Sequence, residues 1–305
     1  MRILIVGAGA IGGYFGGRLL EKGEDITFLV RKKRKQQLEK DGLIIESVNG
    51  NLKLQPKTIE AGEDAGIFDV ILISTKAYHL HDAIKGVKQY AGENTMILPL
   101  LNGIIHIEKL VAEFGSEKVL GGLCFIESTL DHDGKIIQTS TAHDLVFGER
   151  NGENTERIQR LEQAFSQTKA GFRLSQNIIG DMWHKYLFIT GLSGITTLMR
   201  APMGPIRDSL SGYETTIKLF NEIINVMNMI HAPITENVEF QLKKVARLGY
   251  LMKSSMQRDM EKGLPIEADH LQGYLIEMAK ENELQVPVLE AVYANLKIYE
   301  QQLME

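Results

Sequence analysis

The sequence contains few of the features that mark secreted, membrane-embedded or nucleic-acid-binding proteins. Its single cysteine, Cys124, cannot form an intrachain disulfide, which favours a reducing compartment. No stretch approaches the roughly 18 consecutive apolar residues of a membrane span, and residues 1–6 lack the basic start of a signal peptide. The net charge of −5 gives no excess of basic residues for nucleic acid. These absences predict a cytoplasmic protein that binds neither a membrane nor a nucleic acid.

Patterns of metal ligands are also missing, and the bulk composition is ordinary. The eight histidines show no spacing typical of a metal site, so no metal is expected. With 44% hydrophobic and 24% charged residues, the chain has the composition of a globular protein. Its 305 residues suggest two domains.

The first twelve residues carry the strongest pattern in the chain. An apolar run at residues 3–6 leads into the sequence GAGAIG, and a helix-like stretch and a second apolar strand follow. This arrangement of strand, glycine turn and helix is the unit that binds a dinucleotide, with the pyrophosphate at the helix N-terminus. The glycines permit a tight turn, close approach of backbone to phosphate, and close packing of helix on strand. The predicted cofactor-binding residues of this loop are Gly7, Ala8, Gly9, Ala10, Ile11 and Gly12.

The end of the second strand indicates which dinucleotide is bound. Proteins that bind NAD usually carry an acidic residue there, which binds the ribose 2′-OH. Here the strand ends at Arg31, and residues 31–35 read RKKRK. A guanidinium can bind a 2′-phosphate through two N–H groups, whereas a carboxylate would repel it. The sequence therefore predicts NADPH/NADP+ as the cofactor; the alternative is a basic, solvent-exposed start of the next helix.

Residues 1–175 alternate apolar strands with helical patterns, which predicts an α/β domain of Rossmann type with a mainly parallel sheet. Asn49-Gly50 is a turn signal inside a predicted β-pair at 43–59. Two late strands are expected at 135–139 and 145–148. The remaining expected strands span 3–6, 26–30, 69–75, 95–101, 119–126 and 172–174, and the expected helices span 13–22, 33–40, 78–90, 105–114 and 154–167.

From residue 176 to residue 305 helical periodicity replaces the strand patterns, so the second domain is predicted to be all-helical. Pro233, Pro265 and Pro287 stand where prolines occur at helix starts. The exposed faces of these helices are compatible with a homodimer. The expected helices span 177–192, 211–230, 235–252, 266–282 and 288–304.

Substrate chemistry next to a bound cofactor needs a proton donor, and the helical domain offers one. Lys185 lies in an otherwise apolar helical stretch, where desolvation would lower its pKa and let it give a proton near neutral pH. The alternative is a lysine with a buried stem and an ammonium in water. Ser255 could hold a carboxylate and Glu267 could face a lysine in the site. The alternative for Ser255 is an ordinary helix serine, and for Glu267 an acid in a first helical turn, and the sequence alone favours these alternatives.

Two further candidates follow predicted strands of the first domain. Lys76 comes directly after the strand at 69–75, and Asn102-Gly103 follows the strand at 95–101. Ligands of open parallel sheets bind beyond the carboxyl ends of the strands, which favours a binding role for Lys76 and Asn102. For Asn102-Gly103 a simple turn remains the alternative.

Taken together, these residues make the chain resemble the ketopantoate reductase family over nearly its whole length. The resemblance implies reduction of 2-dehydropantoate, a 2-keto acid, to pantoate with NADPH, as a step in pantothenate biosynthesis. It rests on GAGAIG at 7–12, Arg31, Lys76, LNG at 101–103, Trp183 with Lys185, SSM at 254–256 with Asp259, and Ile266-Glu267 ahead of Gly273-Tyr274. It also implies roles: Arg31 binds the 2′-phosphate, Lys76 and Asn102 contact the cofactor, Asn102 and Ser255 contact the substrate, and Lys185 and Glu267 are catalytic, with Lys185 as general acid.

The chain departs from the family at three places. Members of the family carry asparagines where this chain has Ile189, Ser193 and Met203. Ser193 is expected to contact the substrate in place of one asparagine. Recognition of the substrate's carboxylate and hydroxyl is therefore altered, while the reaction type is kept.

Other functions remain open at this stage. One is a reductase or dehydrogenase of the same fold that acts on another 2-keto or 2-hydroxy acid. Another is a regulator that senses NADP(H) without turnover. The presence of Lys185 together with Glu267 favours an enzyme, because a sensor needs no proton donor.

Overall fold

The computed structural model describes residues 1–303 and contains two compact units. The first comprises Met1–Asn102 and His106–Ile179, and the second comprises Gly103–Ile105 and the chain from Gly180 onward. The first unit is α/β and the second is helical, which confirms the fold class predicted from the sequence. The main division falls after Ile179, compared with residue 175 in the prediction.

The first unit alternates strands and helices along most of its length. Its helices are α1 (Ala10–Lys22), α2 (Lys32–Asp41), α3 (Leu80–Val87), α4 (His106–Phe114) and α5 (Glu156–Phe165). The 3₁₀ turns Ala77–His79 and Lys88–Tyr90 flank α3. Its strands are β1 (Arg2–Val6), β2 (Asp25–Leu29), β3 (Leu43–Ser47), β4 (Leu52–Leu54), β5 (Lys57–Ile59), β6 (Phe68–Ile73), β7 (Ala91–Pro99), β8 (Gly121–Leu130), β9 (Ile136–Gly148) and β10 (Gly171–Leu174).

One of the two sheets is wholly parallel and carries the glycine loop. Its strand order is β5-β2-β1-β6-β7, and every neighbouring pair is parallel. The central strands are buried along most of their length, as their continuous apolar sequences predict. The loops that follow β1, β2, β6 and β7 therefore leave the same edge of the sheet, which is the ligand-binding edge of α/β proteins.

The second sheet has the strand order β10-β9-β3-β4, with β8 paired to β9. The predicted hairpin at Asn49-Gly50 is confirmed, because β3 and β4 pair antiparallel and Gly50 has a φ of 103°. The rest of the predicted pair at 43–59 is wrong. Pro56, which cannot donate a ladder hydrogen bond, precedes β5, and β5 pairs with β2 in the other sheet. The two late strands expected at 135–139 and 145–148 form one strand, β9. It pairs antiparallel with β8, and the register of this pair shifts between Ile126 and Ser128.

Glycines let α1 pack closely on strands of both sheets. A Cβ at Gly16 would come within 2.8 Å of the Phe28 ring in the parallel sheet. A Cβ at Gly17 would come within 2.7 Å of Ile45 in the other sheet. One turn earlier, Gly12 packs against Ser74 and the Gly7 carbonyl on the side of the parallel sheet. Gly13 packs against the side chain of Ile136 on the side of the other sheet. The close packing predicted for Gly12 is thus present, and three further glycines share it.

The second unit is built from helices, and two predicted boundaries there are wrong. The predicted helix at 235–252 stops at residue 247, because the backbone beyond it pairs elsewhere: the N–H groups of Met203 and Gly204 donate to the carbonyls of Met252 and Tyr250. The predicted helix at 266–282 begins after Glu267 and opens with a π-helical turn, Asp269–Gly273. The helices are α6 (Ile178–Met199), α7 (Met203–Asp208), α8 (Leu210–Met229), α9 (Val238–Arg247), α10 (Ser255–Glu261), α11 (Tyr274–Glu281) and α12 (Pro287–Gln302).

Helix α6 continues well past its predicted end at residue 192 and reaches Met199. Residues 190–197 are all buried, although four of them carry hydroxyl groups. Its buried hydroxyls donate back to the helix, as Thr196 Oγ1 does to the Leu192 carbonyl at 2.8 Å. Within residues 1–303, neither α6 nor any other helix combines the length and apolarity needed to cross a membrane.

Candidate functional site

The glycine loop connects β1 to α1 as the sequence predicts. Gly7 has a φ of 92°, which glycine adopts without strain, and its N–H donates to the Leu29 carbonyl at 3.0 Å. Helix α1 starts at Ala10, and its first internal hydrogen bond runs from Gly13 N to Gly9 O at 2.9 Å. The turn therefore brings the N-terminus of α1 directly to the carboxyl end of β1.

The geometry of this loop fits the pyrophosphate of a dinucleotide. A Cβ at Gly9 would meet no atom within 4 Å, so the space beside the loop is open. The first turn of α1 contains no acidic residue, and no side chain caps its N–H groups. Free N–H groups and the positive end of the helix dipole favour an anion at this place. The loop can therefore hold a dinucleotide phosphate through its backbone.

Arg31 follows β2 and forms the N-cap of α2, where its side chain is exposed. Its Nη2 lies 3.3 Å from Nδ1 of His79, in the 3₁₀ turn that precedes α3. Burial and the Arg31 charge lower the pKa of His79, while Asp82 raises it. Arg31 is thus placed at the same edge of the sheet as the glycine loop, in reach of solvent and of a ligand.

A second arginine of the basic run has a different position. The Nε of Arg34 donates to the carbonyl of Ala8 at 3.1 Å, and its Nη1 donates to the carbonyl of Gly134 at 2.8 Å. Burial lowers the pKa of Arg34, but a guanidinium keeps its charge at neutral pH. Arg34 therefore holds a positive charge against the glycine loop. No pattern within the run RKKRK distinguishes Arg34 from the neighbouring lysines.

The two strand-end candidates lie where the sheet topology predicts. Lys76 follows β6 and forms the N-cap of the Ala77–His79 turn, and its side chain is half-buried. Asn102 follows β7 and is also half-buried. The next residue, Gly103, has a φ of 84°, and a Cβ there would come within 2.9 Å of the His270 ring. Gly103 is therefore required both by its backbone conformation and by close packing within the second unit, which a simple turn would not demand.

In the second unit, one face of α6 carries three of the residues considered above. Lys185, Ile189 and Ser193 are four residues apart, so they lie one above another on the helix. Lys185 and Ile189 are half-buried, whereas Ser193 is only 3% exposed. The third departure from the family pattern, Met203, is fully buried at the start of α7. Its side chain belongs to the core.

Hydrogen bonds join this face of α6 to the segment that carries Glu267. The Nε2 of Gln272 donates to Ser193 Oγ at 2.9 Å and to the Thr190 carbonyl at 3.2 Å. The Tyr186 hydroxyl donates to the Leu271 carbonyl at 2.5 Å. Burial raises the pKa of Tyr186 well above its ordinary value, so this hydroxyl keeps its proton and the bond is stable towards pH.

Glu267 is only 9% exposed and stands directly ahead of the π-helical turn. Its carbonyl accepts the N–H of Leu271 at 3.1 Å, which fixes the backbone at the start of the turn. A carboxylate that is nearly buried needs polar partners, and π-helical turns occur frequently at functional sites. Both properties favour the functional interpretation of Glu267.

The two serines at the start of α10 differ in burial and in their hydrogen bonds. Ser254 is buried and is the N-cap: its Oγ accepts the N–H of Gln257 at 3.1 Å and lies 2.8 Å from Thr196 Oγ1 on α6. Ser255 is the first residue of the helix and is exposed. The bond from Thr196 to Ser254 thus ties the segment bearing Ser255 to α6, and it leaves the Ser255 hydroxyl on the surface of the unit.

The structure places the predicted residues in two groups, one in each unit. In the first, the glycine loop, Arg31, Lys76 and Asn102 follow strands of one parallel sheet. In the second, Lys185, Ser193, Ser255 and Glu267 lie on segments that hydrogen bonds connect. Sequence reasoning missed His79, Arg34 and Gln272. Among the eight histidines of the sequence, His79 was considered only as a possible metal ligand. Gln272 shows no pattern that marks it before the helices are assembled.

Comparison with known proteins identifies the same family in both units. A family model described as ketopantoate reductase PanE/ApbA matches residues 3–152. A second model, for the ketopantoate reductase PanE/ApbA C terminal, matches residues 177–300. The two matches together span most of the chain.

Individual relatives match over nearly their whole length. An uncharacterized oxidoreductase, YkpB, from Bacillus subtilis (strain 168) is 52% identical over 301 residues, covering 98% of this chain and 99% of the relative. The 2-dehydropantoate 2-reductase of Pyrococcus horikoshii is 29% identical over 303 residues, covering 98% of each chain. A crystal structure of 2-dehydropantoate 2-reductase from Geobacter metallireducens superposes with a TM-score of 0.88 at 26% identity, covering 98% of this chain and 99% of that one.

Proposed function

Because the chain belongs to the ketopantoate reductase family, we propose that it reduces 2-dehydropantoate to pantoate with NADPH. Family membership makes it an oxidoreductase that acts on a CH–OH or C=O group. The finer assignment of substrate and cofactor is the proposal. The pantoate formed would enter pantothenate biosynthesis.

The first unit supports NADPH as the cofactor. The glycine loop offers open space and free N–H groups to the pyrophosphate. Arg31 stands where a protein specific for NAD would carry an acid, and Lys76 and Asn102 follow the neighbouring strands. When bound, NADPH supplies a hydride to the carbonyl carbon of the substrate. The residues of this unit bind and orient it.

The observation that carries the proposal of catalysis is the hydrogen-bond network of the second unit. It holds the face of α6 that bears Lys185 against the segments that bear Ser255 and Glu267. In the proposed reaction, Lys185 donates a proton from its ammonium to the carbonyl oxygen as hydride reaches the carbon, so that the ketone becomes a hydroxyl. A positioned ammonium also stabilises the negative charge that develops on that oxygen. Ser255 would bind the carboxylate of the substrate, and Glu267 its terminal hydroxyl.

A second candidate substrate follows from the face of α6. Ile189 is half-buried one turn from Lys185, at a place where family members carry an asparagine. An apolar side chain there cannot pair with a substrate hydroxyl, and an unpaired buried hydroxyl costs roughly 1–3 kcal/mol, or about 5- to 150-fold in kcat/KM. This favours a 2-keto acid with a larger or more apolar side chain as the alternative.

The test is NADPH oxidation, followed by absorbance, with 2-dehydropantoate and a panel of unbranched, branched and aromatic 2-keto acids. We expect turnover of 2-dehydropantoate. The variant Ile189→Asn should raise kcat/KM for 2-dehydropantoate relative to apolar 2-keto acids. A higher kcat/KM of the wild type for an apolar 2-keto acid would select the second substrate. Tight NADPH binding without turnover of any 2-keto acid would overturn the reductase assignment in favour of an NADP(H) sensor.

A further inference from the structure

The contact between Arg31 and His79 defines the protonation state of the imidazole. Nη2 of Arg31 lies 3.3 Å from Nδ1 of His79. A guanidinium has only donor groups, so Nδ1 must accept this hydrogen bond. His79 is therefore neutral in the ligand-free protein, with its proton on Nε2. In this state the imidazole holds the exposed Arg31 side chain at the edge of the parallel sheet.

The surroundings of His79 contain an excess of positive charge. The charged groups that act on the imidazole are Arg31, ahead of α2, and Asp82, on α3. Burial, followed by Arg31, lowers the pKa of His79, and Asp82 opposes this only in part. Lys76 stands at the N-cap of the same 3₁₀ turn. An anion that reached this place would meet Arg31 and an imidazole that can accept a proton.

We propose that His79 and Arg31 together form the site that binds the 2′-phosphate of NADP(H), and that His79 takes up a proton when the phosphate binds. The inference rests on the proposed cofactor and extends the phosphate site beyond the arginine. A bound dianion offers oxygen atoms to Arg31 in place of Nδ1, which frees the imidazole to become a second donor. The negative charge then stabilises the imidazolium, which the neighbouring arginine alone disfavours.

Proton uptake gives the affinity for NADPH a definite dependence on pH. The pKa of His79 is low in the free protein and higher in the complex, so binding of NADPH strengthens as pH falls from above the higher value to below the lower one. NADH has no 2′-phosphate, so its affinity should not follow His79. The difference between the two cofactors therefore isolates the contribution of this site.

Equilibrium binding of NADPH and NADH, measured by fluorescence at pH 6 and pH 8.5, tests the proposal without reference to turnover. His79→Gln keeps an acceptor for Arg31 but cannot take up a proton. It should weaken NADPH binding by about tenfold at pH 6 and by less than about threefold at pH 8.5, the loss expected for one charge-assisted hydrogen bond. NADH binding should not change. The matched control is His81→Gln, since His81 is an exposed histidine two residues away, and it should bind both cofactors as the wild type does.

Calorimetry of the wild type in two buffers of different ionisation enthalpy provides a second measurement that needs no variant. NADPH binding near pH 7.5 should take up a proton, and NADH binding should not. Equal NADPH binding by His79→Gln and the wild type at both pH values, or the absence of proton uptake, would overturn the role of His79. A wild type that binds NADPH no better than NADH would instead overturn the proposed cofactor.

Discussion

The two units position their candidate functional residues by different means. In the first, the residues follow neighbouring strands of one parallel sheet, so the order of strands alone brings the glycine loop, Arg31, Lys76 and Asn102 to one edge. In the second, Lys185 is distant in sequence from Ser255 and Glu267, and side-chain hydrogen bonds such as that from Gln272 to Ser193 hold their segments together. The first arrangement depends on backbone topology and glycine, and the second depends on buried polar side chains.

Substitution of Lys185 should give the largest change in activity. It should lower catalysis, assigned to the second unit, without weakening cofactor binding, assigned to the first. Lys185→Ala removes the proposed general acid, so kcat should fall by about 100- to 10,000-fold. Binding of NADPH to the first unit should change little. The control is Lys218→Ala, since Lys218 is an exposed lysine on α8. A kcat within a few-fold of wild type would show that Lys185 is a lysine with a solvated ammonium and no part in the chemistry.

Substitutions of two glycines in the predicted cofactor loop should distinguish a glycine needed for packing from a glycine needed for cofactor binding. A Cβ at Gly12 would overlap the Gly7 carbonyl and Ser74, so Gly12→Ala should lower the free energy of unfolding by about 1–3 kcal/mol. Gly9 has open space around it and an extended backbone, so Gly9→Ala should fold normally and weaken NADPH binding. Thermal unfolding and cofactor titration of both variants measure this. Equal stability of the two would contradict the packing role of Gly12.

Arg31→Ala tests whether the first unit reads the 2′-phosphate. Loss of a charged hydrogen-bond partner should weaken NADPH binding by about 1.5–3 kcal/mol, or roughly 10- to 150-fold. NADH binding should hardly change, because Arg31 is an exposed N-cap with no core contact. Fluorescence titration with both cofactors measures the ratio. Equal weakening of both would show that Arg31 does not recognise the 2′-phosphate.

Substitutions of Ser254 and Ser255, in the second unit, should give the smallest effects. Ser254→Ala removes an N-cap and the partner of Thr196, which should cost about 1–2 kcal/mol of stability. Ser255→Ala should leave stability within about 0.5 kcal/mol, because the residue is exposed, and should raise KM for the keto acid. Denaturant unfolding and steady-state kinetics separate the two. A Ser255→Ala variant with unchanged KM would remove Ser255 from the substrate site.

The sequence predicts the first unit better than the second, for a physical reason. Gly7 and Gly50 have positive φ angles of 92° and 103°, which glycine adopts without strain, so these two turns are readable from a few neighbouring residues. The separation of β5 from β3 and β4 is not readable in this way, because it depends on which sheet has a free edge beside β2.

In the second unit, the predicted helices are largely present, while their ends and the polar contacts between them are not predictable. The stop of α9 at Arg247 depends on the pairing of Tyr250 and Met252 with the start of α7, which is distant in sequence. The hydrogen bond between Gln272 and Ser193 likewise joins residues that are distant in sequence, so it cannot be predicted from local patterns. Lys185 could be identified as a candidate because it lies in an apolar helical stretch of the sequence. The hydrogen bonds that hold its helix against neighbouring segments become visible only once the helices are assembled.

The wide turn at Asp269–Gly273 acts as an angular offset within one continuous helix. An α-helix advances about 100° per residue, so one extra residue in a turn rotates everything beyond it relative to everything before it. Gln272, which bonds Ser193, and the buried Leu275, Ile276 and Ala279 are spaced by three, four and seven residues, so they share one face of the helix beyond the offset. The residues ahead of the turn, Glu267 and Ala268, are rotated out of the register that an unbroken α-helix would give them. Shortening this segment by one residue would therefore rotate Glu267 relative to the face that carries Gln272, even though the composition of the helix would be almost unchanged.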